Sequence, residues 1–264
     1  SARDARAGLG SALIELGGAR RTLRARTDAA DIAAALRETA LFAGRNVLVA
    51  LRNGERTQAM QDWLRYHAAA HGADAALIVD RTEGGDPGFC AALDADLPVV
   101  IVTTDQPMGQ PTGPDLRAPE AAPASGGATP PTSAWHGPCH QLGYLDLLHH
   151  RFLAEARAVA FVDIADLVLP LAGGETVFDR AVSTPGLALP LKGVETYPWR
   201  LRQGAPAPHS DHIASRRTER RSLRSWAIAP GAQPSDAFWR PGAPFGVPMC
   251  DAAPHPFMRA MGVV

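Results

Sequence analysis

Residues 45–80 read RNVLVALRNGERTQAMQDWLRYHAAAHGADAALIVD. The stretch begins with an apolar run at 46–51 and ends with another at 75–79, and apolar residues at helical spacing lie between them. Short apolar runs bounded by glycine and polar residues are typical of strands buried on both faces. Gly72 follows the helical pattern, at a position where glycine commonly ends a helix. The stretch therefore predicts a strand–helix–strand unit with parallel strands.

The rest of the chain extends this unit to an α/β fold with a mostly parallel sheet flanked by helices. We predict further strands at 98–102, 159–164, 187–191 and 226–229, and further helices at 141–156 and 176–182.

Three segments follow from this pattern: an N-terminal helical segment at 1–44, an α/β core at 45–200 and an irregular C-terminal wrap at 201–264. In the first segment, Asp28 or Asp31 is placed to cap a helix that runs toward Thr39. Within the core, residues 106–133 lose all periodicity and fill with Pro, Gly, Ala, Ser and Thr, which predicts a long loop.

Composition narrows the class of protein. The chain has 264 residues, of which 46% are hydrophobic and 20% charged, so it is long and apolar enough to bury a core. Its formal net charge of -1 creates no overall field that attracts nucleic acid. No apolar run approaches the roughly 20 residues that span a bilayer, so we expect no transmembrane segment. The first residues lack a signal-peptide pattern, and we expect a cytoplasmic bacterial protein.

Polar clusters follow the predicted strands. Arg52, Asn53 and Glu55 follow the first strand, Asp80 follows the second, and the sequence DIAD at 163–166 lies at the end of the strand predicted at 159–164. In open parallel sheets, ligands bind at the carboxyl ends of the strands. Carboxylates at that edge can hold ribose hydroxyls directly and a diphosphate through a divalent cation, because Mg²⁺ and Mn²⁺ prefer oxygen ligands.

These clusters, in this order, resemble bacterial family 2-like and family 92-like glycosyltransferases, which have the Rossmann-like glycosyltransferase A (GT-A) fold. The matching stretches span 45–230 with long gaps and include RNGE at 52–55, WL at 63–64, YH at 66–67, GAD at 72–74, HQ at 140–141, FVDIADLV at 161–168 and RSWAIAP at 224–230. The resemblance implies transfer of a sugar from a nucleotide-diphosphate sugar to a hydroxyl of a carbohydrate or lipid-linked acceptor, as in cell-surface polysaccharide synthesis.

The resemblance also implies site residues. It assigns nucleotide-sugar binding to Arg52, Asn53, Glu55, Asp80, Gln141, Asp163 and His255. Asp163 matches the first position of the family's DxD-like motif, and His255 resembles part of a terminal motif that faces the diphosphate.

The DxD-like motif departs from the family at its metal position. Ala165 stands where the family normally has the metal-binding aspartate, and Asp166 follows it. The implied ligands of Mn²⁺ or Mg²⁺ are therefore Asp163 and Asp166. Three alternatives stay open: Asp166 holds a shifted metal ion, the chain works without metal, or it is a non-catalytic GT-A-like binding or scaffolding protein.

Glu195 is the candidate catalytic residue. It follows the strand predicted at 187–191, and as a general base it would deprotonate the acceptor hydroxyl. A nucleotidyltransferase would use similar carboxylates, but such enzymes normally carry a glycine-rich basic loop that this sequence lacks. His149 and His150 lie on a predicted helix without an i+4 partner, which argues against a zinc site there.

Overall fold

A computed structural model describes residues 10–16, 19–25, 37–52, 54–82, 85–104, 145–199, 207–215, 220–234, 236–240, 244–250 and 254–261. In these residues, eleven strands form one mixed sheet with helices packed on it. The α/β class expected from the sequence is confirmed.

The strands are β1 (Gly10–Leu16), β2 (Ala19–Ala25), β3 (Asn46–Arg52), β4 (Ala75–Asp80), β5 (Val99–Thr104), β6 (Ala158–Phe161), β7 (Asp166–Val168), β8 (Leu189–Pro198), β9 (His212–Ser215), β10 (Arg220–Ile228) and β11 (His255–Ala260). The α-helices are α1 (Thr57–His71), α2 (Pro87–Ala92) and α3 (Val177–Ser183). A π-helix covers His149–Leu153, and short 3-10 helices cover Thr39–Leu41, His209–Asp211 and Pro230–Ala232.

The centre of the sheet is parallel. Strands β5, β4, β3 and β6 lie side by side in this order and all run in the same direction. Alternate residues of β3 enter opposite cores: Val47 and Val49 pack on one face, whereas Leu48 and Ala50 pack on the other. This two-sided burial explains why the strand is continuously apolar in sequence. The predicted strand–helix–strand unit at 45–80 is confirmed.

Helix α1 lies between β3 and β4, where the sequence pattern predicts a helix. Met60, Trp63 and Leu64 lie on one side of the helix and are buried against the sheet. The helix ends at Gly72, whose φ of 66° is left-handed and whose N–H donates to the carbonyl of Ala68. Glycine adopts this conformation without the steric cost that a Cβ imposes.

The N-terminal segment, expected to be helical, contains two strands. β1 pairs antiparallel with β2, and it also pairs antiparallel with β5 at one side of the parallel centre. The register joins Leu16 to Ala19, so two residues, Gly17 and Gly18 in the sequence, connect the strands. Two strand-length runs joined by Gly-Gly are a hairpin signal, and it outweighs the helical spacing of the apolar residues. The helix predicted from Asp28 or Asp31 lies outside the described residues.

The C-terminal region is not an irregular wrap, because it supplies β9, β10 and β11 to the same sheet. β10 lies between β6 and β8, and β11 lies between β8 and β7. The strand predicted at 226–229 covers only the end of β10, which begins with arginines at 220 and 221. The sequence gives no strand signal for β11, because Pro256 disfavours a strand prediction. At Gly193 of β8, a Cβ would stand 1.7 Å from the carbonyl oxygen of Phe257 in β11. The close pairing of these strands therefore requires glycine.

The remaining predicted elements differ mainly in their ends. The strand predicted at 187–191 continues to Pro198, whereas the strand predicted at 159–164 ends at Phe161 and is followed by a turn. The helix predicted at 141–156 is helical over 145–153, and the long loop predicted at 106–133 lies outside the described residues. No helix among the described residues is both long and apolar enough to cross a membrane.

Candidate functional site

The order of the central strands marks a place for a ligand. From β3 the chain moves to β4 and then β5 on one side, but the next parallel strand, β6, pairs with the other side of β3. In open α/β sheets, such a reversal leaves a crevice outside the carboxyl ends of the two strands, where ligands bind. Arg52 ends β3 and Asp163 follows β6, so both predicted site residues belong to this edge.

Asp163 and Asp166 are joined by Arg259, which lies on β11. The Nε of Arg259 donates to Asp166 Oδ1 at 2.6 Å, and its Nη2 donates to Asp166 Oδ2 at 2.7 Å. The same Nη2 lies 3.3 Å from Asp163 Oδ2. A paired, two-point contact of this kind is among the strongest hydrogen-bonded ion pairs in proteins. We call these three side chains the Arg259 cluster.

The Arg259 cluster is fixed by its surroundings. The side chain of Asp166 is fully buried, whereas those of Asp163 and Arg259 are 16% and 25% exposed. Ser225 of β10 donates its hydroxyl to Asp166 Oδ2 at 2.9 Å, and Trp63 of α1 donates its indole N–H to the Asp166 carbonyl at 3.2 Å. Three separate elements, β11, β10 and α1, therefore hold Asp166 in place.

Electrostatics within the Arg259 cluster follow from burial and pairing. Burial raises the pKa of the Asp166 carboxyl, and the charge and hydrogen bonds of Arg259 oppose that shift. Burial alone would lower the pKa of Arg259, but the charges of Asp166, Asp163 and Glu195 outweigh it and raise the pKa. Arg259 therefore carries its charge at neutral pH.

The expected Mn²⁺ or Mg²⁺ ion does not fit between Asp163 and Asp166. Both carboxylate oxygens of Asp166 already accept hydrogen bonds from Arg259, whose guanidinium supplies the positive charge that a metal ion would bring. Ala165 provides no carboxylate, and its carbonyl accepts the N–H of Ala260 at 2.7 Å. A metal ion at this position would have to displace the arginine, so we derive no step through a metal here.

Glu195 belongs to the same surface. It lies within β8 rather than after a strand, as the Cα partner of Arg259 in the parallel β8–β11 ladder. Its side chain is partly exposed, and its Oε2 accepts the Tyr197 hydroxyl at 3.1 Å. The structure thus brings the predicted base and both predicted metal ligands around one arginine.

A second arginine-centred cluster lies at the carboxyl ends of β3 and β4. Arg52 donates its Nε to the Glu55 carbonyl at 2.9 Å, and its Nη atoms lie 3.2 Å from Asp80 Oδ1 and 2.9 Å from Asp86 Oδ2. The guanidinium carbon stands 3.9 Å from the centre of the Phe89 ring. We call Arg52, Asp80 and Asp86 the Arg52 cluster.

The Arg52 cluster holds together the two ends of the loop between β4 and α2. Asp80, which is fully buried, also accepts the backbone N–H groups of Thr82 and Asp86 at 3.1 and 3.0 Å. Asp86 caps α2 by accepting the Phe89 N–H, and this bond together with Arg52 lowers the pKa of Asp86. Predicted ligand residues Arg52 and Asp80 are therefore paired with each other, and Glu55 is buried beside them.

His255 does not face an open surface. It is fully buried, its Nε2 donates to the Leu169 carbonyl at 2.9 Å, and its ring centre lies 5.5 Å from that of His71. Its burial lowers its pKa to about 4, so the ring is neutral near pH 7. The predicted contact with a diphosphate is wrong for this packed position.

His67 and His71 of α1 extend this buried group. The Nδ1 of His67 donates to the Trp63 carbonyl while its Nε2 accepts the Val168 N–H, and burial lowers its pKa to about 3. His71 Nε2 donates to the Val168 carbonyl at 2.7 Å. These neutral histidines tie α1 to β7, the strand that begins with Asp166.

Two predicted site residues, Asn53 and Gln141, lie outside the described residues. Sequence reasoning missed Arg259, Ser225 and Asp86 as members of the two clusters. Asp86 had a local signal, since Pro87 follows it and proline commonly begins a helix after a capping aspartate. Arg259 lies beside His255 in the stretch that resembles the terminal motif, but its pairing with Asp166, 93 residues earlier, has no local signal.

A cavity of about 540 Å³ lies elsewhere, between α1 and the loop that precedes β5. Its lining includes Ala73 and Asp74, just before β4, and Leu97 and Pro98, just before β5. It therefore opens at the amino ends of the parallel strands, at the opposite edge from the Arg259 cluster. A volume alone does not indicate a ligand, and the strand order favours a ligand site at the carboxyl ends of the parallel strands.

No protein-family model matches this chain, and no curated protein sequence matches it either. The resemblance to glycosyltransferases therefore rests on the motifs in the sequence alone.

Proposed function

We propose that the protein binds a nucleotide-diphosphate sugar, in the manner of a GT-A-like binding protein, without a metal ion at Asp163 and Asp166. The observation that carries the proposal is the two-point bond between Arg259 and Asp166, which follows the carboxyl end of β6. The guanidinium engages both oxygens of Asp166, which the family's motif would offer to a cation.

The chemistry of the Arg259 cluster suits hydroxyl groups. Asp163 and Glu195 are partly exposed acceptors, and Arg259 is a partly exposed donor. Three carboxylates, Asp166 among them, surround one guanidinium, so the local formal charge is negative. A phosphate would be repelled there, whereas the hydroxyls of a ribose or a sugar can donate to the carboxylates and accept from the arginine. We infer that the cluster binds the sugar or ribose part of the ligand.

The test is binding of UDP- and GDP-sugars by the full chain, measured by calorimetry and thermal shift with Mn²⁺ and with EDTA. Bound ligand should raise the unfolding temperature by mass action, and the affinity should be the same in Mn²⁺ and EDTA. Asp163→Asn should weaken binding by about tenfold, the loss expected for one hydrogen bond to a charged group. Asp94→Asn, at an exposed carboxylate between α2 and β5, is the matched control and should bind normally.

Two results would overturn the proposal. If no UDP- or GDP-sugar binds under either condition, the protein is not a nucleotide-sugar-binding protein of this kind. If binding requires Mn²⁺ and is lost on Asp166→Asn, the two aspartates hold a metal ion after all.

Metal-independent glycosyl transfer is the second candidate function, and the placement of Glu195 favours it. Its partly exposed carboxylate lies on the strand beside Arg259. As a base it would take the proton of an acceptor hydroxyl while that oxygen bonds to the anomeric carbon and the bond to the diphosphate breaks. Glu195→Gln should then lower donor turnover by about a hundredfold or more and leave donor affinity unchanged. If the wild type binds the donor but does not turn it over, glycosyl transfer is ruled out and binding without catalysis remains.

A further inference from the structure

The helical segment before β6 brings together three potential metal ligands. Asp146, His149 and His150 each offer one ligand atom, and these atoms all lie within 4.8 Å of one another. Residues at positions i, i+3 and i+4 share a helix face, which explains the grouping. Asp146 is the partner four residues away from His150 that the sequence reasoning overlooked, and its Oδ2 lies 3.7 Å from His150 Nε2.

Trp239 holds two of the three side chains. Its backbone N–H donates to Asp146 Oδ1 at 3.1 Å, which fixes the carboxylate and leaves Oδ2 toward His150. Its indole stacks on the ring of His149, with ring centres 4.1 Å apart and planes 3° from parallel. Contacts that orient ligands in this way are a regular feature of metal sites.

His149 adds an independent sign of a ligand. The residue is 8% exposed, and its Nδ1 has no hydrogen-bond partner among the described residues. A buried ring nitrogen without a partner costs free energy, and a ligand that engages the imidazole repays part of it. His149 and His150 also begin a π-helix, an irregular helical turn that is often found at functional sites.

The ligand types specify the ion. Two imidazoles and one carboxylate suit Zn²⁺ and its neighbours in the first transition row better than Mg²⁺ or Ca²⁺, which prefer oxygen alone. Ligand atoms around one tetrahedral zinc ion lie about 3.3–3.5 Å apart, given bonds of about 2.0–2.1 Å. The 3.7 Å separation of Asp146 and His150 is close to this value, and the His150 side chain is 54% exposed.

We propose that Asp146, His149 and His150 bind one divalent transition-metal ion, with zinc the best match. This site is on the helix before β6 and is independent of the proposed sugar-binding function. Three protein ligands leave a fourth position open, as in catalytic rather than structural zinc sites.

The experiment titrates the metal-free full chain with Zn²⁺ by calorimetry and with Co²⁺ by visible absorption. We expect one equivalent to bind and Zn²⁺ to displace Co²⁺. Asp146→Asn keeps an oxygen for the Trp239 N–H, and His150→Ala changes an exposed ring, so both variants should fold. Each should raise the Kd for Zn²⁺ by about tenfold or more, since changes around a metal site commonly cost 10–100-fold in affinity.

Asp236→Asn is the matched control, because Asp236 is an exposed carboxylate in the segment that carries Trp239. It should bind Zn²⁺ as the wild type does. The proposal is overturned if the wild type binds no equivalent of Zn²⁺, if both ligand variants bind as tightly as the wild type, or if the control loses affinity to the same extent.

Discussion

The Arg259 cluster and the Arg52 cluster use the same three parts, an arginine and two aspartates, in different ways. Arg52 joins residues that are close to it in the chain, since Asp80 and Asp86 lie 28 and 34 residues after it. Arg259 joins β11 to a turn that precedes it by 93 and 96 residues. One cluster closes a local loop, and the other connects two distant parts of the sheet.

The buried aspartates also differ in how they are supported. Asp80 accepts two backbone N–H groups in addition to Arg52. Asp166 accepts the Ser225 hydroxyl but depends on Arg259 for both of its short bonds. An aspartate held by backbone groups keeps most of its stabilisation when the arginine is lost, whereas Asp166 would be left with a buried charge. The two clusters should therefore respond unequally to loss of the arginine.

The largest effect is expected for Arg259→Met. Removing one partner of a buried ion pair costs about 3–5 kcal/mol, because the remaining charge is left in an apolar environment. Urea unfolding should show this loss of stability in the variant. Arg65→Met, which removes an exposed arginine on α1, should change the free energy of unfolding by no more than about 0.5 kcal/mol. A loss below about 1 kcal/mol for Arg259→Met would mean that Asp166 does not depend on the arginine.

A smaller loss is expected for Arg52→Met. The methionine side chain retains contact with Phe89, and the backbone bonds to Asp80 remain, so we expect a loss of about 2 kcal/mol, typical of a hydrogen bond to a charged group. The same urea measurement compares the two variants directly. Equal losses for Arg52→Met and Arg259→Met would show that the backbone bonds to Asp80 give no protection.

The third prediction is that acid lowers the free energy of unfolding, because His255 on β11 is buried and neutral in the folded protein. In the unfolded chain this histidine takes up a proton below its ordinary pKa of about 6.5, but in the folded protein its pKa is lowered to about 4. Between these values the unfolded state binds more protons, so stability falls as the pH is lowered, by about 1.4 kcal/mol per pH unit for this group.

His255→Gln tests this linkage. Glutamine retains a donor for the Leu169 carbonyl but does not titrate, so the slope of unfolding free energy against pH should decrease by about 1.4 kcal/mol per unit between pH 6 and 4.5. Urea unfolding at several pH values measures the slope. An unchanged slope in the variant would show that His255 is not the neutral, buried group described above.

The sequence predicts well the elements whose pattern lies within a short stretch of the chain. The strand at Asn46–Arg52 and the helix at Thr57–His71 follow from two-sided burial and from helical period, and both patterns lie within the elements themselves. The location of Asp163 at the carboxyl edge also follows, because it needs only the end of β6 and the order of the strands.

The sequence does not predict the contacts between residues that lie far apart in the chain. The role of Asp166 depends on Arg259, and β11 carries both a proline and a histidine in place of a plain apolar run. Its close pairing with β8 requires glycine at 193, a requirement that no local pattern reveals. The hairpin of β1 and β2 was missed for another reason, since its Gly-Gly connection was present but the apolar spacing was interpreted as helical.

Because Asp166 and Arg259 are 93 residues apart in the chain, Asp166 is synthesised well before its arginine partner. A ribosome adding about 5–20 residues per second needs about 5–20 s to make the 93 residues that separate the two. Throughout that time the carboxylate of Asp166 has no arginine, and burying it would be unfavourable. The turn after β6 should therefore stay hydrated on the nascent chain until β11 inserts between β8 and β7, so the Arg259 cluster is completed late.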